Sequence, residues 1–201
     1  MFFFRNKILI YLVFLIIGFI LGIIITPSLQ EATYHLKDWV GKTFPQVQVS
    51  KKVVTLYFAT PDGEHLVGVK KELFFKENND TIPDQIKAVI QELIKGPQNE
   101  SFVPTVPPET KILAVYTKGD LIYVDFSSSL IKKHPGGTSG EIITIYSIVN
   151  TILENFPSYS KVKILVEGRS PSTLVGHIDV RESFEKNTKI IKSLSKEKSE
   201  Y

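Results

Sequence analysis

The sequence contains no cysteine. That excludes a disulfide framework, a thiol nucleophile and any zinc site of the cysteine type. It also leaves no cysteine to carry an N-terminal lipid. One-sided charge is missing too: 24 Lys and Arg against 21 Asp and Glu give a formal +3. Setting aside Arg5 and Lys7 leaves 3 − 2 = +1 for the remainder, with both signs interspersed. A nucleic-acid binder would concentrate basic residues on one face, so no nucleic-acid partner is expected. No serine lies in a Gly-x-Ser-x-Gly elbow, and the glycine-rich stretch 135–141 does not run into Lys-Ser or Lys-Thr. No internal repeat is visible.

What is present begins with 18 consecutive uncharged residues, 8–25, behind a tip carrying Arg5 and Lys7. At about 1.5 Å per residue such a helix covers roughly 27 Å, close to the hydrocarbon thickness of a bilayer. A cleaved signal peptide has a shorter apolar region and a small-x-small site, and Thr26-Pro27-Ser28-Leu29-Gln30 supplies none. The expectation is an uncleaved signal anchor over 8–25. The basic residues of the tip, 1–7, place the N-terminus in the cytoplasm and the remainder outside it. The protein is thus expected in the cell membrane, single-pass, with an extracytoplasmic C-terminal domain.

Beyond the anchor, residues 26–51 read as a juxtamembrane linker. Leu29, Leu36, Trp39 and Val40 admit a short interfacial helix, but Gly41 and Pro45 favour a tether. From Val53 the chain is β-branched and aromatic as far as Ala59, and Pro61-Asp62-Gly63 reads as a turn. Residues 66–75 read as one or two extended pieces, with Gly68 marking an irregularity. Thr81, Pro83 and Asp84 open a helix that Gly96-Pro97 ends, and Ile82, Ile86, Val89, Ile90, Leu93 and Ile94 form its inner stripe. A hairpin follows, residues 111–117 and 121–126 joined through Gly119-Asp120. A second helix runs from about Ser139 to Asn155, with Thr138 and Glu141 spaced as a capping box. Residues 161–166 form the last strand, and 181–201 a charged, flexible tail. The expected fold is α+β: the N-terminal transmembrane helix, then one small domain over 52–180. In that domain two helices pack on one face of a single sheet of three to five strands.

The strings Val54-Thr55-Leu56-Tyr57-Phe58, Lys95-Gly96-Pro97 after the first helix, and Val106-Pro107-Pro108-Glu109-Thr110 resemble the GerMN domain family. The resemblance continues through Val124-Asp125-Phe126-Ser127, Val149-Asn150-Thr151-Ile152-Leu153, residues 162–168 and Gly176-His177-Ile178-Asp179. It covers about 52–180. It implies a ring-building-motif-like fold, no catalytic activity, and a role in sporulation, germination or cell-envelope assembly.

Candidate chemistry is sparse. Ser127, His177 and Asp179 are the residue types of a nucleophile, base and orienter, and His177 with Asp179 and Glu167 could offer a metal three ligands. No motif joins them, so no catalytic, cofactor-binding or metal residue is assigned, no cofactor is expected, and the chain is read as a non-enzyme. The loop 135–141 enters a helix but fails the phosphate-loop pattern, which favours capping. Binding is the better reading: contacts with other envelope proteins or self-association, through a sheet edge or an outer face carrying Tyr123, Asp125, Lys161 and Lys163. The alternative is a peptidoglycan- or polysaccharide-binding module using Tyr57, Tyr123 and Tyr159. A hydrolase is the third reading.

Overall fold

A computed structural model of the chain describes residues 15–19, 33–36, 39, 49–76 and 80–193. The chain divides into two units, Met1–Val47 and Gln48–Tyr201. In the first, residues 15–19, 33–36 and Trp39 are helical. The helical residues 33–36 and Trp39 fall where a tether is expected from the sequence. The remainder of the expected span 8–25 lies outside the described residues, as do the tip 1–7 and the end of the tail, 194–201. Among the described residues no helix is long and apolar enough to cross a membrane.

The second unit holds β1 (Val49–Ala59), β2 (Leu66–Lys76), α1 (Ile82–Ile94), β3 (Ile112–Lys118), β4 (Leu121–Phe126), α2 (Ser129–Lys132), α3 (Thr138–Asn155) and β5 (Lys161–Val166). It is α+β, but the strands form two sheets rather than one. β1 and β2 make an antiparallel pair, while β3-β4-β5 make a three-stranded sheet with β4 and β5 parallel. The expected single sheet fails because β1 never reaches β3 or β5. Its second edge is occupied by side chains of α3 instead, as described below. Helices α1 and α3 touch each other, and each touches both sheets.

Local chemistry explains the elements. Thr81 and Asp84 form the reciprocal cap of α1: the Asp84 N–H donates to Thr81 Oγ1 at 3.3 Å and the Thr81 N–H to Asp84 Oδ2 at 3.0 Å. Gly96, at φ +85°, ends that helix in a conformation other residues resist. Strand β2 is continuous, not irregular, at Gly68, which pairs in register with Tyr57. A Cβ there would sit 3.0 Å from Thr55 Cγ2 and 3.3 Å from the Tyr57 ring, so glycine answers a close approach rather than a bulge.

The main core gathers Leu56, Phe58, Ile86, Ile90, Leu93, Ile122, Phe126, Ile148 and Ile152 between the layers. A second cluster of Tyr57, Ala59, Leu66 and Ile143 covers the opposite face of the β1–β2 hairpin near its turn, joined by Ile190 and Ile191. The tail expected to be flexible from Arg181 is therefore docked for much of its described length. Phe184 and Val162 exchange backbone hydrogen bonds at 2.8 and 2.9 Å, and Leu66 is bonded by Ile190 and Lys192. Three apolar side chains in a charged segment suffice once two strand edges offer unpaired backbone groups.

Candidate functional site

Glu141 lies in the first turn of α3 and is fully buried. The helix starts after Gly137 with no side-chain cap, so the capping box expected from Thr138 and Glu141 does not form. The Glu141 carboxylate instead accepts four backbone N–H groups from the loop before the tail. Leu174 and Val175 donate to Oε1 at 2.7 and 3.0 Å, and His177 and Ile178 to Oε2 at 2.9 and 3.2 Å. One self-capping bond cannot compete with four donors, one of them buried and three part-buried. Burial pushes this carboxyl up, but the four N–H groups together outweigh it and hold it below the ordinary glutamate range. His177 Nδ1 lies 3.4 Å from Oε2, with the ring half-exposed.

A second tie runs from the same helix. Gly136 N–H donates to His134 Nδ1 at 3.0 Å, so the ring proton sits on Nε2 and points to Thr144 Oγ1 at 2.9 Å. Thr144 in turn donates to the Thr105 carbonyl at 2.6 Å. Burial pushes the His134 pKa down against the opposing pull of Glu141.

Lower on α3, side chains close the free edge of β1. Thr151 Oγ1 accepts from Tyr57 N–H at 3.0 Å, and Asn155 brackets Thr55, accepting its N–H at 2.9 Å and donating to its carbonyl at 2.8 Å. Asn150 brackets Asn187 of the tail in the same way, at 2.8 and 2.9 Å. Sequence reasoning missed this set, although a signal exists: Glu141, Thr144, Ser147, Thr151 and Asn155 recur three and four apart, polar residues along a stripe that must be buried.

The residues singled out for chemistry are not brought together. Ser127 Oγ accepts from Lys111 N–H at 3.0 Å, Glu167 Oε1 accepts from Ser128 N–H at 2.8 Å, and His177 faces Glu141. Asp179 is clamped by Arg181 at 2.6 Å, and the guanidinium holds its carboxyl down at about 2. Asp125, expected on the outer face, is instead buried, with both oxygens accepting from Gly168 N–H. Asp62, Glu64 and His65 meet in the β1–β2 turn, but Asp62 Oδ1 is already engaged by Thr60 Oγ1 and Glu64 N–H. Nothing beyond proximity points to an ion there.

The expected outer face is partly covered by the chain itself. Lys163 Nζ donates to the Arg181 carbonyl, Lys161 lies 3.6 Å from Glu185, and Tyr123 stacks on Tyr116 with centroids 4.7 Å apart. Tyr57 is buried beside Glu154, which together with burial drives its hydroxyl up to about 12; it cannot stack on a sugar. Tyr159 packs against the core.

These features define a small α+β module whose polar side chains fasten loops and strand edges. Residues 55–172 match the model of the family described as Germane: sporulation and spore germination, more than half of the chain, and the protein belongs to that family. Its fold is that of the GerMN domains. The tandem GerMN domains of the sporulation protein GerM from Bacillus subtilis align at 20% identity with a TM-score of 0.53, covering 71% of this chain and 48% of theirs. This chain thus spans about half of that two-domain structure. The first GerMN domain of the same protein aligns at 18% identity and a TM-score of 0.50, covering 69% of this chain and 98% of that one. No curated protein matches the chain.

Proposed function

We propose that this is a membrane-anchored envelope protein whose GerMN-like domain works outside the cytoplasm by protein–protein contact, without catalysis, in sporulation, germination or envelope assembly. The carrying observation is the joining of an 18-residue uncharged segment, 8–25, to a Germane-family domain in one chain. Charge at the tip favours a cytoplasmic N-terminus. A domain confined to a membrane plane meets its partners at high effective concentration, so modest contact surfaces are enough. Two measurements test the reading on the full-length protein. A tag after Tyr201 should be digested by protease added to intact spheroplasts, and crosslinking in living cells should yield a reproducible envelope neighbour. A protected tag, or no neighbour, overturns it.

A wall-binding role is the second reading, favoured by the Tyr116–Tyr123 stack, of which Tyr116 is 45% exposed. Co-sedimentation of the full-length protein with purified peptidoglycan, lost in Tyr116→Ala, would replace the first reading with this one.

A further inference from the structure

We propose that the outer edge of β2 pairs antiparallel with the same edge of a second copy of this chain, in the register that sets Lys70 opposite Glu72. This names a partner for the contact module proposed above and rests on that reading.

Parts of the strand edges are already closed by other segments of the chain. On β1 the N–H groups of Thr55, Tyr57 and Ala59 point away from β2, to Asn155, Thr151 and Val103. Residues 54, 56 and 58 therefore bond to β2, and the even-numbered residues of β2 turn their backbone groups outward. The two ends of that outward row are closed: Leu66 by Ile190 and Lys192, and Lys76 by Asp80 Oδ2 at 2.6 Å. On β5, Val162 is closed by Phe184. Between the closed ends of β2, Gly68, Lys70, Glu72 and Phe74 have no backbone partner among the described residues. An unpaired run of this kind is a template for another strand.

That run is complementary to itself. Turned about a two-fold axis at Lys71, each Lys70 faces Glu72 of the second copy, and Val69 faces Leu73 on the reverse side. Gly68 faces Phe74, a ring 67% exposed in the single chain, and a cross-strand glycine leaves room for an aromatic. The two Lys71 side chains meet at the axis, each already paired with Glu92 of its own chain. A slip of two residues in either direction sets Lys70 against Lys70 or Glu72 against Glu72, so charge selects one register. Pairing turns a two-stranded ribbon into a sheet of four strands, a more stable arrangement than an isolated hairpin.

The test uses full-length protein in its own membrane, expressed as two differently tagged copies. Wild-type copies should co-purify. Lys70→Glu alone, or Glu72→Lys alone, should lose self-association, because residues 70 and 72 then carry one sign. Co-expressing Lys70→Glu with Glu72→Lys should restore it, since an acidic edge then faces a basic one; a folding defect cannot be rescued this way. Lys71→Cys, the sole cysteine, should give a disulfide dimer under mild oxidation, the two Cα atoms of such a central pair lying roughly 4.5 Å apart. Charge swaps without effect and a monomeric Lys71→Cys overturn the edge pairing, while continued co-purification of wild-type copies would leave the contact module standing. Wild-type protein with no crosslinked neighbour of any kind removes both.

Discussion

Asn155 of α3 holds Thr55 of β1 by both of its backbone groups, across a sequence separation of 100 residues. The amide side chain stands in for the strand that would otherwise lie there. With Thr151 on Tyr57 one helical turn earlier, it ends the two-stranded sheet at β1 and separates it from β3-β4-β5.

Removing that grip has a defined cost. Asn155→Ala leaves the Thr55 N–H and carbonyl unpaired, and Thr151→Val leaves the buried Tyr57 N–H unpaired. Each should destabilise the fold by about 1–3 kcal/mol in urea unfolding, with unchanged m. A loss below about 0.5 kcal/mol for both would show that water or β1 movement replaces α3.

Glu141 should be the more sensitive site. Glu141→Gln keeps one acceptor oxygen and turns an NH2 group toward donors, while Glu141→Ala leaves all four N–H groups without their acceptor. We expect losses of about 3 kcal/mol or more, the alanine variant at least as severe. Amide exchange at Leu174, Val175, His177 and Ile178 should accelerate before exchange in β4. Unchanged protection of those amides would contradict the assigned role of Glu141.

Acid should weaken the domain in two windows. His134 titrates below the ordinary histidine value of 6.5 in the folded chain, so its contribution is complete above 6.5. As pH falls below 6.5 the unfolded chain takes the proton first, and stability declines until the folded ring titrates as well. Glu141 is also lowered, from 4.5, so its contribution is lost as pH falls below that value through its folded one. Urea midpoints between pH 7.5 and 5 should fall for wild type and flatten in His134→Gln. A midpoint rising on acidification would contradict the sign.

Gly68→Ala should destabilise rather than stiffen β2. Its methyl would press on Thr55 Cγ2 and the Tyr57 ring, and both backbones are pinned by Asn155 and Thr151. The expected loss is about 1 kcal/mol, reduced in a Thr55→Ser background that removes Cγ2. Equal losses in both backgrounds would locate the strain elsewhere.

Patterns confined to one element could be read directly. The Thr81–Asp84 cap, the Gly96 stop, the β3–β4 hairpin and the inner stripe of α1 depend on neighbours within a few residues. Their chemistry therefore recurs in the structure where the residues predict it, except that Ile82, at the start of the stripe, is 42% exposed. The extent of α3 is legible from its local pattern, but the partners of its buried polar residues, Glu141, Thr144, Asn150 and Thr151, lie far along the chain. Tyr57, read as an exposed aromatic, is buried because the second cluster covers a hairpin face that alternation alone leaves ambiguous.

The amino-acid order alone determined the length of the apolar N-terminal segment, the absence of thiol chemistry and the type and ends of most elements of the domain. Those depend on side-chain composition and on bonds reaching three or four residues. Only the tertiary structure decided that there are two sheets, that Glu141 serves a loop more than 30 residues away, and that the charged tail closes strand edges. The reason is that a buried donor accepts any acceptor of suitable geometry. Which one arrives is settled by how layers stack, and no local pattern records that choice.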